Sequence, residues 1–291
     1  MFQNPVKRVA AIHDLSGFGR VSLNVVIPIL SNMGIQVCSL PTAVLSSHSQ
    51  YPDFRFVDLT PQMESFIEHW KELKLSFNAI YSGYLGSPAQ VGIVSNFIND
   101  FRIKGTLVVV DPVLGDNGEL YSSFGHEMIT GMRSLIGLAD IITPNLTELS
   151  FLSGKTMEEL KTTSGIKEAV LELSLLGPEI IVVTSVPEND VRGRTSVLAY
   201  NRKNKKFWKV SCDYLPADYP GTGDSFTSVL TGSLLQGDSL PIALDRAVQF
   251  ISIGVRATFG YEYDSREGIL IERILHNLDA PVQSSSYELL D

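Results

Sequence analysis

The chain has few cysteines, and their spacing excludes two kinds of scaffold. Its 291 residues contain only Cys38 and Cys212, which lie in separate strand-like segments without a CxxC pair or a Cys/His cluster. Neither a disulfide framework nor a zinc site is therefore indicated. Because 44% of the residues are hydrophobic and 19% are charged, the chain has the composition of an ordinary globular protein with a large core.

Long apolar runs are also missing. No stretch reaches the roughly 20 residues that a membrane-spanning helix needs. The apolar run at residues 9–12 is too short for the core of a signal peptide. The sequence therefore predicts a cytoplasmic protein without a membrane partner.

Positive charge is scarce. The chain has 23 Lys and Arg against 32 Asp and Glu, a formal net charge of −9, which argues against a nucleic-acid partner. The one basic stretch, residues 202–206, lies between two strand-like runs and is typical of a solvated hairpin turn. Any phosphate must therefore be held by glycine-rich backbone, a helix dipole or a metal ion.

Strand-like and helix-like segments alternate along most of the chain, which predicts an α/β fold with a mostly parallel central sheet covered by helices on both faces. We expect one domain over residues 1–280 and a frayed polar tail over 281–291. The predicted strands are 6–13, 36–40, 77–82, 106–110, 139–143, 179–185, 196–200 and 207–210, and the predicted helices are 20–34, 66–73, 88–102, 166–176, 223–236 and 240–259.

Polar residues follow the predicted strands, at the sheet edge where α/β proteins bind ligands. The most informative run is Gly221, Thr222, Gly223 and Asp224 at the start of an apolar helix. A helix N-terminus attracts anions, and Asp224 adds a carboxylate that can accept a proton. The same four residues also fit an ordinary loop and N-cap. The other candidates at this edge are Asp14, Ser46, His48, Ser49, Tyr84, Asp111, Asp116, Thr143, Asn145, Glu148, Thr184 and Ser185.

Two other segments partly match phosphate-binding motifs, but each lacks a residue that its motif requires. Residues 153–156 (SGKT) end like a Walker A loop, but Leu149 stands where its first glycine is required. Residues 17–22 are similar to a dinucleotide fingerprint, but residues 15–52 contain no Asp or Glu to bind a ribose. A P-loop enzyme and a Rossmann dehydrogenase are therefore both disfavoured.

Three carboxylates, Asp111, Asp116 and Glu148, are hard oxygen ligands of the kind that suits magnesium beside a nucleotide. Asp111 and Glu148 equally fit a role as caps of the segments that follow them. His48 fits either a general base or a hydrogen-bonding positioner.

Five ordered blocks together resemble the ribokinase-like superfamily and, within it, the pyridoxal (vitamin B6) kinases. They are residues 45–51, 82–86, 111–116, 139–145 and 221–224. The likeness extends from residue 11 to about residue 257. The last block is typical of the whole superfamily, whereas His48 with its serines and the Ser-Gly-Tyr turn are typical of the B6 branch.

This resemblance implies a ribokinase-like three-layer α/β/α fold and ATP-dependent phosphorylation of the 5′-hydroxymethyl group of pyridoxal, pyridoxine or pyridoxamine, in vitamin B6 salvage. It also implies Mg²⁺, ATP as co-substrate and a homodimer, and it leaves a monovalent cation open. Asp224 would be the base and the N–H groups of Gly221, Thr222 and Gly223 the anion hole. Mg²⁺ would be held by Asp111, Asp116 and Glu148; nucleotide phosphates by Thr143, Asn145, Thr184, Ser185 and Thr222; and the pyridine ring by Asp14, Ser46, His48, Ser49, Tyr84 and Tyr121.

Two positions depart from the B6-kinase pattern. Asp14 stands where a serine commonly meets the ring, and it could pair with a protonated ring or an amine. Val44 replaces a usual glutamine and gives a likeness to the hydroxymethylpyrimidine kinases of thiamine synthesis, which usually carry cysteine where this chain has Asp224. Such a kinase is the alternative interpretation, and a non-catalytic vitamer or nucleotide binder is the third.

Overall fold

The computed structural model describes residues 5–188, 193–279 and 286–290. Twelve strands and eight α-helices lie within these ranges. The strands are β1 Arg8–Ser16, β2 Gln36–Leu45, β3 Phe56–Asp58, β4 Ala79–Ser82, β5 Leu107–Val110, β6 Gly115–Asp116, β7 Glu119–Leu120, β8 Ile141–Ile142, β9 Ile180–Pro187, β10 Arg194–Asn201, β11 Lys206–Asp213 and β12 Tyr287–Leu290. The helices are α1 Leu23–Asn32, α2 Thr60–Glu72, α3 Pro88–Phe101, α4 His126–Ile136, α5 Leu146–Ser153, α6 Thr163–Ser174, α7 Thr222–Gln236 and α8 Leu240–Thr258.

Ten of the strands form one sheet in the order β12-β11-β10-β9-β8-β5-β4-β1-β2-β3. The six strands from β9 to β2 in this order run parallel, while β3 at one edge and β10 to β12 at the other are antiparallel. Parallel strands end at the same edge, so the loops after β1, β2, β4, β5, β8 and β9 are brought together there.

The sheet is covered on both faces, because side chains alternate between two cores along its strands. In β1, Ala10 and Ile12 belong to one core and Val9 and Ala11 to the other. Helices α2 to α6 pack over the first core, and α1, α7 and α8 over the second. The expected three-layer α/β/α architecture is therefore confirmed. No helix of the described residues is long and apolar enough to span a membrane.

Strand β1 is longer than predicted. It continues through Asp14 to Ser16, with an irregularity in its pairing to β2 between His13 and Leu15. Such a bulge adds a residue and re-aims a side chain. Asp14 consequently belongs to the strand and does not follow it.

The predicted frayed tail is wrong for Tyr287–Leu290, which pairs antiparallel with β11. The ring of Tyr287 packs edge-on against Trp208 at 5.8 Å, and the Ser286 hydroxyl donates to buried Asp245 at 2.6 Å. The other residues of the tail, 281–285 and 291, lie outside the described residues. A single domain ending at residue 280 stays a prediction.

Candidate active site

Helix α7 begins at the carboxyl edge of the sheet on a glycine that no other residue could replace without strain. Gly221 has a φ of 79°, and a Cβ atom there would lie 2.0 Å from the carbonyl oxygen of Arg20. No side chain of the described residues caps this helix. The first N–H groups of α7 therefore remain suited to an anion.

Asp224 lies in the first turn of α7, with its side chain 15% exposed. Its Oδ2 accepts a hydrogen bond from the backbone N–H of Ser22 at 2.9 Å, and its Oδ1 lies 3.8 Å from Nδ1 of His13. Burial, with a smaller contribution from Asp14, raises the pKa of Asp224 to about 7. A carboxyl group with that pKa is matched to proton transfer at neutral pH.

Asp14 is the second carboxylate beside α7. It is buried, its Oδ1 accepts from the Ser22 hydroxyl, and its Oδ2 lies 3.4 Å from the Ser16 hydroxyl. Burial raises the pKa of Asp14. The structure thus brings Asp14 and Asp224 to either side of Ser22.

His48 does not present a free ring nitrogen. Its Nε2 lies 2.6 Å from the carbonyl oxygen of Arg266, which can only accept, and its Nδ1 accepts from the Gln50 N–H at 3.4 Å. Burial lowers the pKa of His48. Of the two interpretations that the sequence left open, the contacts favour the hydrogen-bonding positioner.

The two predicted serines of the same loop are exposed. The hydroxyl oxygen of Ser46 accepts from the backbone N–H of Arg55 at 2.8 Å, which ties it to the chain ahead of β3. For Ser46 and Ser49, a role in ligand binding stays a prediction.

Three aromatic rings form a cluster beside these loops. The Tyr84 ring stacks on Phe124 with centroids 5.7 Å apart, and Tyr121 meets Phe124 edge-on at 6.1 Å. Burial raises the pKa of both tyrosines. For Tyr121, nearby carboxylates, foremost Glu148 and Asp116, raise it further. The structure therefore places this aromatic cluster next to the predicted acidic residues.

Asp111 and Glu148 are both buried. Glu148 forms a capping box with Asn145, because its Oε2 accepts from the Asn145 N–H at 2.8 Å and the Asn145 Oδ1 accepts from the Glu148 N–H at 2.9 Å. Burial and the charge of Asp111 raise the pKa of Glu148. Burial and the charge of Asp224 raise the pKa of Asp111 to about 8. The capping alternative is thus correct for Glu148, although a cap does not require such burial.

The third predicted metal ligand, Asp116, is exposed, and its Oδ1 accepts from the Asn117 N–H at 2.8 Å. Residues 5–188, 193–279 and 286–290 contain no group of three or more His, Cys, Asp or Glu side chains that could hold a metal ion. Asp111 and Glu148 nevertheless fit a divalent cation, because burial and mutual repulsion disfavour their charged forms and a cation would offset both effects.

Sequence reasoning missed Thr227, which connects α7 to the ends of β5 and β8. Its hydroxyl lies 3.0 Å from that of Thr143 and 3.4 Å from Oδ2 of Asp111. Because Thr227 follows Asp224 by three residues in a helix, helical spacing could have indicated it. His13, Ser22 and Phe124 were also missed, and no local pattern identifies them.

A cavity of about 580 Å³ opens beside the start of α7. It takes in three predicted residues, Thr222, Ser185 and Asp116, and is large enough for a nucleoside. Thr143 and Asn145 are instead engaged with Thr227 and Glu148, and the Thr184 N–H donates to Pro144. The cavity is also lined by residues that were not predicted from the sequence, among them Arg194, Cys212, Tyr214, Tyr219, Val255 and Arg256.

The fold has three layers, with helices on both faces of a mostly parallel sheet. At the carboxyl edge of the sheet, a helix begins at a glycine and carries an aspartate in its first turn. This fold and site together define a small-molecule kinase of the ribokinase-like superfamily. The chain belongs to the phosphomethylpyrimidine kinase family, whose model matches residues 39–267. Its similarity to pyridoxal kinases, which the sequence predicted, is confirmed by relatives of that name.

Three relatives illustrate this similarity. A Bacteroides thetaiotaomicron protein, provisionally assigned as a phosphomethylpyrimidine kinase, is 62% identical, with a TM-score of 0.96 and 100% of both chains covered. It has also been crystallised with pyridoxal. The pyridoxal kinase PdxY of Rubrobacter xylanophilus is 28% identical over 84% of this chain and 85% of its own. The Leishmania donovani pyridoxal kinase, in complex with ADP and pyridoxamine, shares the fold at 23% identity, with a TM-score of 0.89 over 98% of this chain and 100% of its own.

Proposed function

We propose that the protein transfers the γ-phosphoryl group of ATP to the 5′-hydroxymethyl group of pyridoxal, pyridoxine or pyridoxamine. The observation that carries this proposal is Asp224 in the first turn of α7, with a pKa raised to about 7 by burial. The relatives named pyridoxal kinase and the pyridoxal complex of the 62% identical protein support a B6 vitamer as substrate.

Asp224 acts as the base in this proposal. Because the Ser22 N–H engages Oδ2, Oδ1 is the oxygen left to take the proton of the substrate hydroxyl. The backbone N–H groups of Gly221, Thr222 and Gly223 stabilise negative charge on the transferring phosphoryl group. Such a reaction depends chiefly on positioning and electrostatics, which this helix start supplies.

ATP occupies the cavity beside Thr222 and Ser185, with its phosphates toward the start of α7 and with Thr143, Asn145 and Thr184 at the adjoining strand ends. Asp111 and Glu148 hold Mg²⁺ directly or through water, with Asp116 at the rim. When bound, Mg²⁺ would neutralise phosphate charge beside Arg194 and Arg256, the two basic residues that line the cavity. A homodimer, a cytoplasmic location and a monovalent cation stay predictions.

The vitamer ring lies between the loops after β1, β2 and β4. Tyr84 and Tyr121 supply aromatic surface, Asp14 supplies a negative charge, and the loop of Ser46, His48 and Ser49 forms the opposite wall. A pyridine ring with polar substituents matches this mixture of stacking and hydrogen-bonding groups.

A pyrimidine is the second candidate substrate, because the family model and the provisional assignment of the 62% identical protein both name a phosphomethylpyrimidine kinase. The pyrimidine that the sequence proposed is hydroxymethylpyrimidine. It is a small aromatic alcohol like the vitamers, so the same base and anion hole would serve. A non-catalytic binder is disfavoured, because Gly221, Gly223 and Asp224 are all present at the start of α7.

The test is a substrate panel with purified protein, ATP and Mg²⁺, comparing the three vitamers with hydroxymethylpyrimidine by product mass. Asp224→Asn is the matched control, since it keeps the shape of the side chain and removes its basicity. We expect vitamer phosphorylation in the wild type and a kcat lower by about 100-fold or more in the variant, with ATP affinity retained. Phosphorylation of hydroxymethylpyrimidine alone would support the second substrate, and no phosphorylation at all would refute both.

A further inference from the structure

We propose that Ser22 is a positioning residue that couples Asp14 to the base and fixes the carboxylate of Asp224 for proton transfer. This inference rests on the proposed kinase function. It assigns a role to a residue between β1 and α1 that lies outside the five blocks on which the family resemblance depends.

Ser22 bonds to two carboxylates at once, by different groups. Its backbone N–H donates to Oδ2 of Asp224 at 2.9 Å, and its hydroxyl donates to Oδ1 of Asp14. All three residues lie at the carboxyl edge of the sheet, and Ser22 is 6% exposed. Ser22 therefore connects the last residues of β1 directly to the first turn of α7.

The backbone of Ser22 is in an unfavourable conformation. Its φ is 50° and its ψ is −131°, in a region that residues other than glycine rarely adopt. Such strain persists only where the surroundings enforce it. Here the hydroxyl bond to Asp14 holds the side chain while the N–H points at Asp224.

The hydroxyl of Ser22 does not cap helix α1. Ser22 is the N-cap of α1, where a serine side chain normally accepts a hydrogen bond from the first turn. No such bond forms within the described residues, because the N–H groups of Asn24 and Val25 donate to the carbonyl oxygens of Val21 and Ser22. The Ser22 side chain is therefore not needed as a cap, and its hydroxyl donates to Asp14.

Displacement of this loop would reach the reacting atoms directly. The carbonyl oxygen of Arg20 lies so close to Gly221 that a Cβ atom there would be 2.0 Å away. The loop that carries Ser22 and the helix start that carries Asp224 are thus packed backbone to backbone. Without the hydroxyl, the backbone of Ser22 can relax toward common φ values and turn its N–H away from Asp224.

The first experiment is a double-mutant cycle on kcat with Ser22→Ala and Asp14→Ala, at saturating pyridoxal and ATP. We expect Ser22→Ala to lower kcat about 10-fold or more, as loss of a hydrogen bond to a charged group does, with KM for ATP within about twofold of the wild type. The double variant should be no slower than the slower single variant. Effects that multiply independently would overturn the proposal.

Ser233→Ala is the matched control, because Ser233 is a buried serine of the same helix as Asp224 whose hydroxyl has no partner among the described residues. Its kcat should equal that of the wild type. Ser22→Gly guards against loss of folding, since glycine adopts a φ of 50° freely but lacks the hydroxyl. Because glycine needs no hydroxyl to hold this φ, a kcat in Ser22→Gly above that of Ser22→Ala supports the proposal, and a kcat equal to or below that of Ser22→Ala refutes it. If the wild type phosphorylates no vitamer, the proposed function is refuted, and the proposed role of Ser22 is refuted with it.

Discussion

Nε2 of His48 lies 2.6 Å from the carbonyl oxygen of Arg266, 218 positions further along the chain. The bond joins the loop after β2 to the segment after α8. The Arg266 guanidinium lies 4.7 Å from the centroid of the Tyr51 ring, which extends the same contact. Because burial lowers the pKa of His48 and its Nδ1 accepts from Gln50, the ring is neutral with its proton on Nε2.

His48→Ala should release the segment around Arg266. We expect faster hydrogen exchange of the amides in residues 263–268 and a KM for pyridoxal raised by about fivefold or more, because one wall of the proposed vitamer site loses its support. Arg266→Ala is the control, since it keeps the carbonyl acceptor and removes only the guanidinium. Equal exchange in His48→Ala and the wild type would show that the bond does not hold the segment.

The rate should depend on pH through Asp224. Its pKa is about 7, and only the ionised carboxylate can accept a proton. We therefore expect kcat to rise about tenfold per pH unit below 7 and to level off above it. Asp14→Ser removes a charge that raises this pKa, so the half-maximal rate should move to lower pH. The kcat profile of each protein checks this, and a wild-type midpoint near pH 4 would contradict it.

Two glycines of the same motif should tolerate alanine very differently. At Gly221, a Cβ atom would meet the Arg20 carbonyl and the φ of 79° would be strained, so Gly221→Ala should cost about 2–4 kcal/mol of unfolding free energy and most of the activity. At Gly223 a Cβ atom meets nothing within 4 Å. Gly223→Ala should keep or slightly raise the melting temperature, because alanine favours the helix. Thermal unfolding of both variants is the measurement, and equal losses would contradict the geometry.

Removal of one buried carboxylate should separate metal binding from folding. Asp111→Asn is expected to raise the Mg²⁺ concentration for half-maximal rate about tenfold or more, because a neutral amide is a poorer ligand. In EDTA at pH 8 the same variant should melt at a higher temperature than the wild type, since repulsion with Glu148 and Asp224 is removed. Asp100→Asn, at a partly exposed carboxylate paired with Lys71, is the control. An unchanged Mg²⁺ dependence in Asp111→Asn would argue against Asp111 as a ligand.

The sheet and most of the helices could be predicted because their signal is local. Hydrophobic periodicity placed a helix at residues 223–236, and α7 spans Thr222–Gln236. The end of β1 was less accessible, because the irregularity between His13 and Leu15 depends on pairing with β2 and not on composition. Strand β12 was missed for the same reason, since the four residues Tyr287–Leu290 form a strand by pairing with β11.

The candidate site divides in the same way. Gly221 and Asp224 could be found from a short motif, whereas Ser22 and Phe124 acquire their positions from contacts between distant segments. The sequence also could not show the pKa of Asp224, which burial raises only after the helix has docked. His48 could be identified from the sequence, but its partner, the Arg266 carbonyl, could not. The hydrogen bond between these two loops was therefore not predicted.

The hydrogen bond from Ser22 to Asp224 spans 202 positions of the chain. Closing a loop of this length costs conformational entropy that the contact itself must offset. We therefore expect the proposed base to be complete only when α7 has docked beside α1 on the second core. Recovery of activity during refolding should accordingly lag behind the spectroscopic signal of helix formation, so that the catalytic rate reports the final stage of folding.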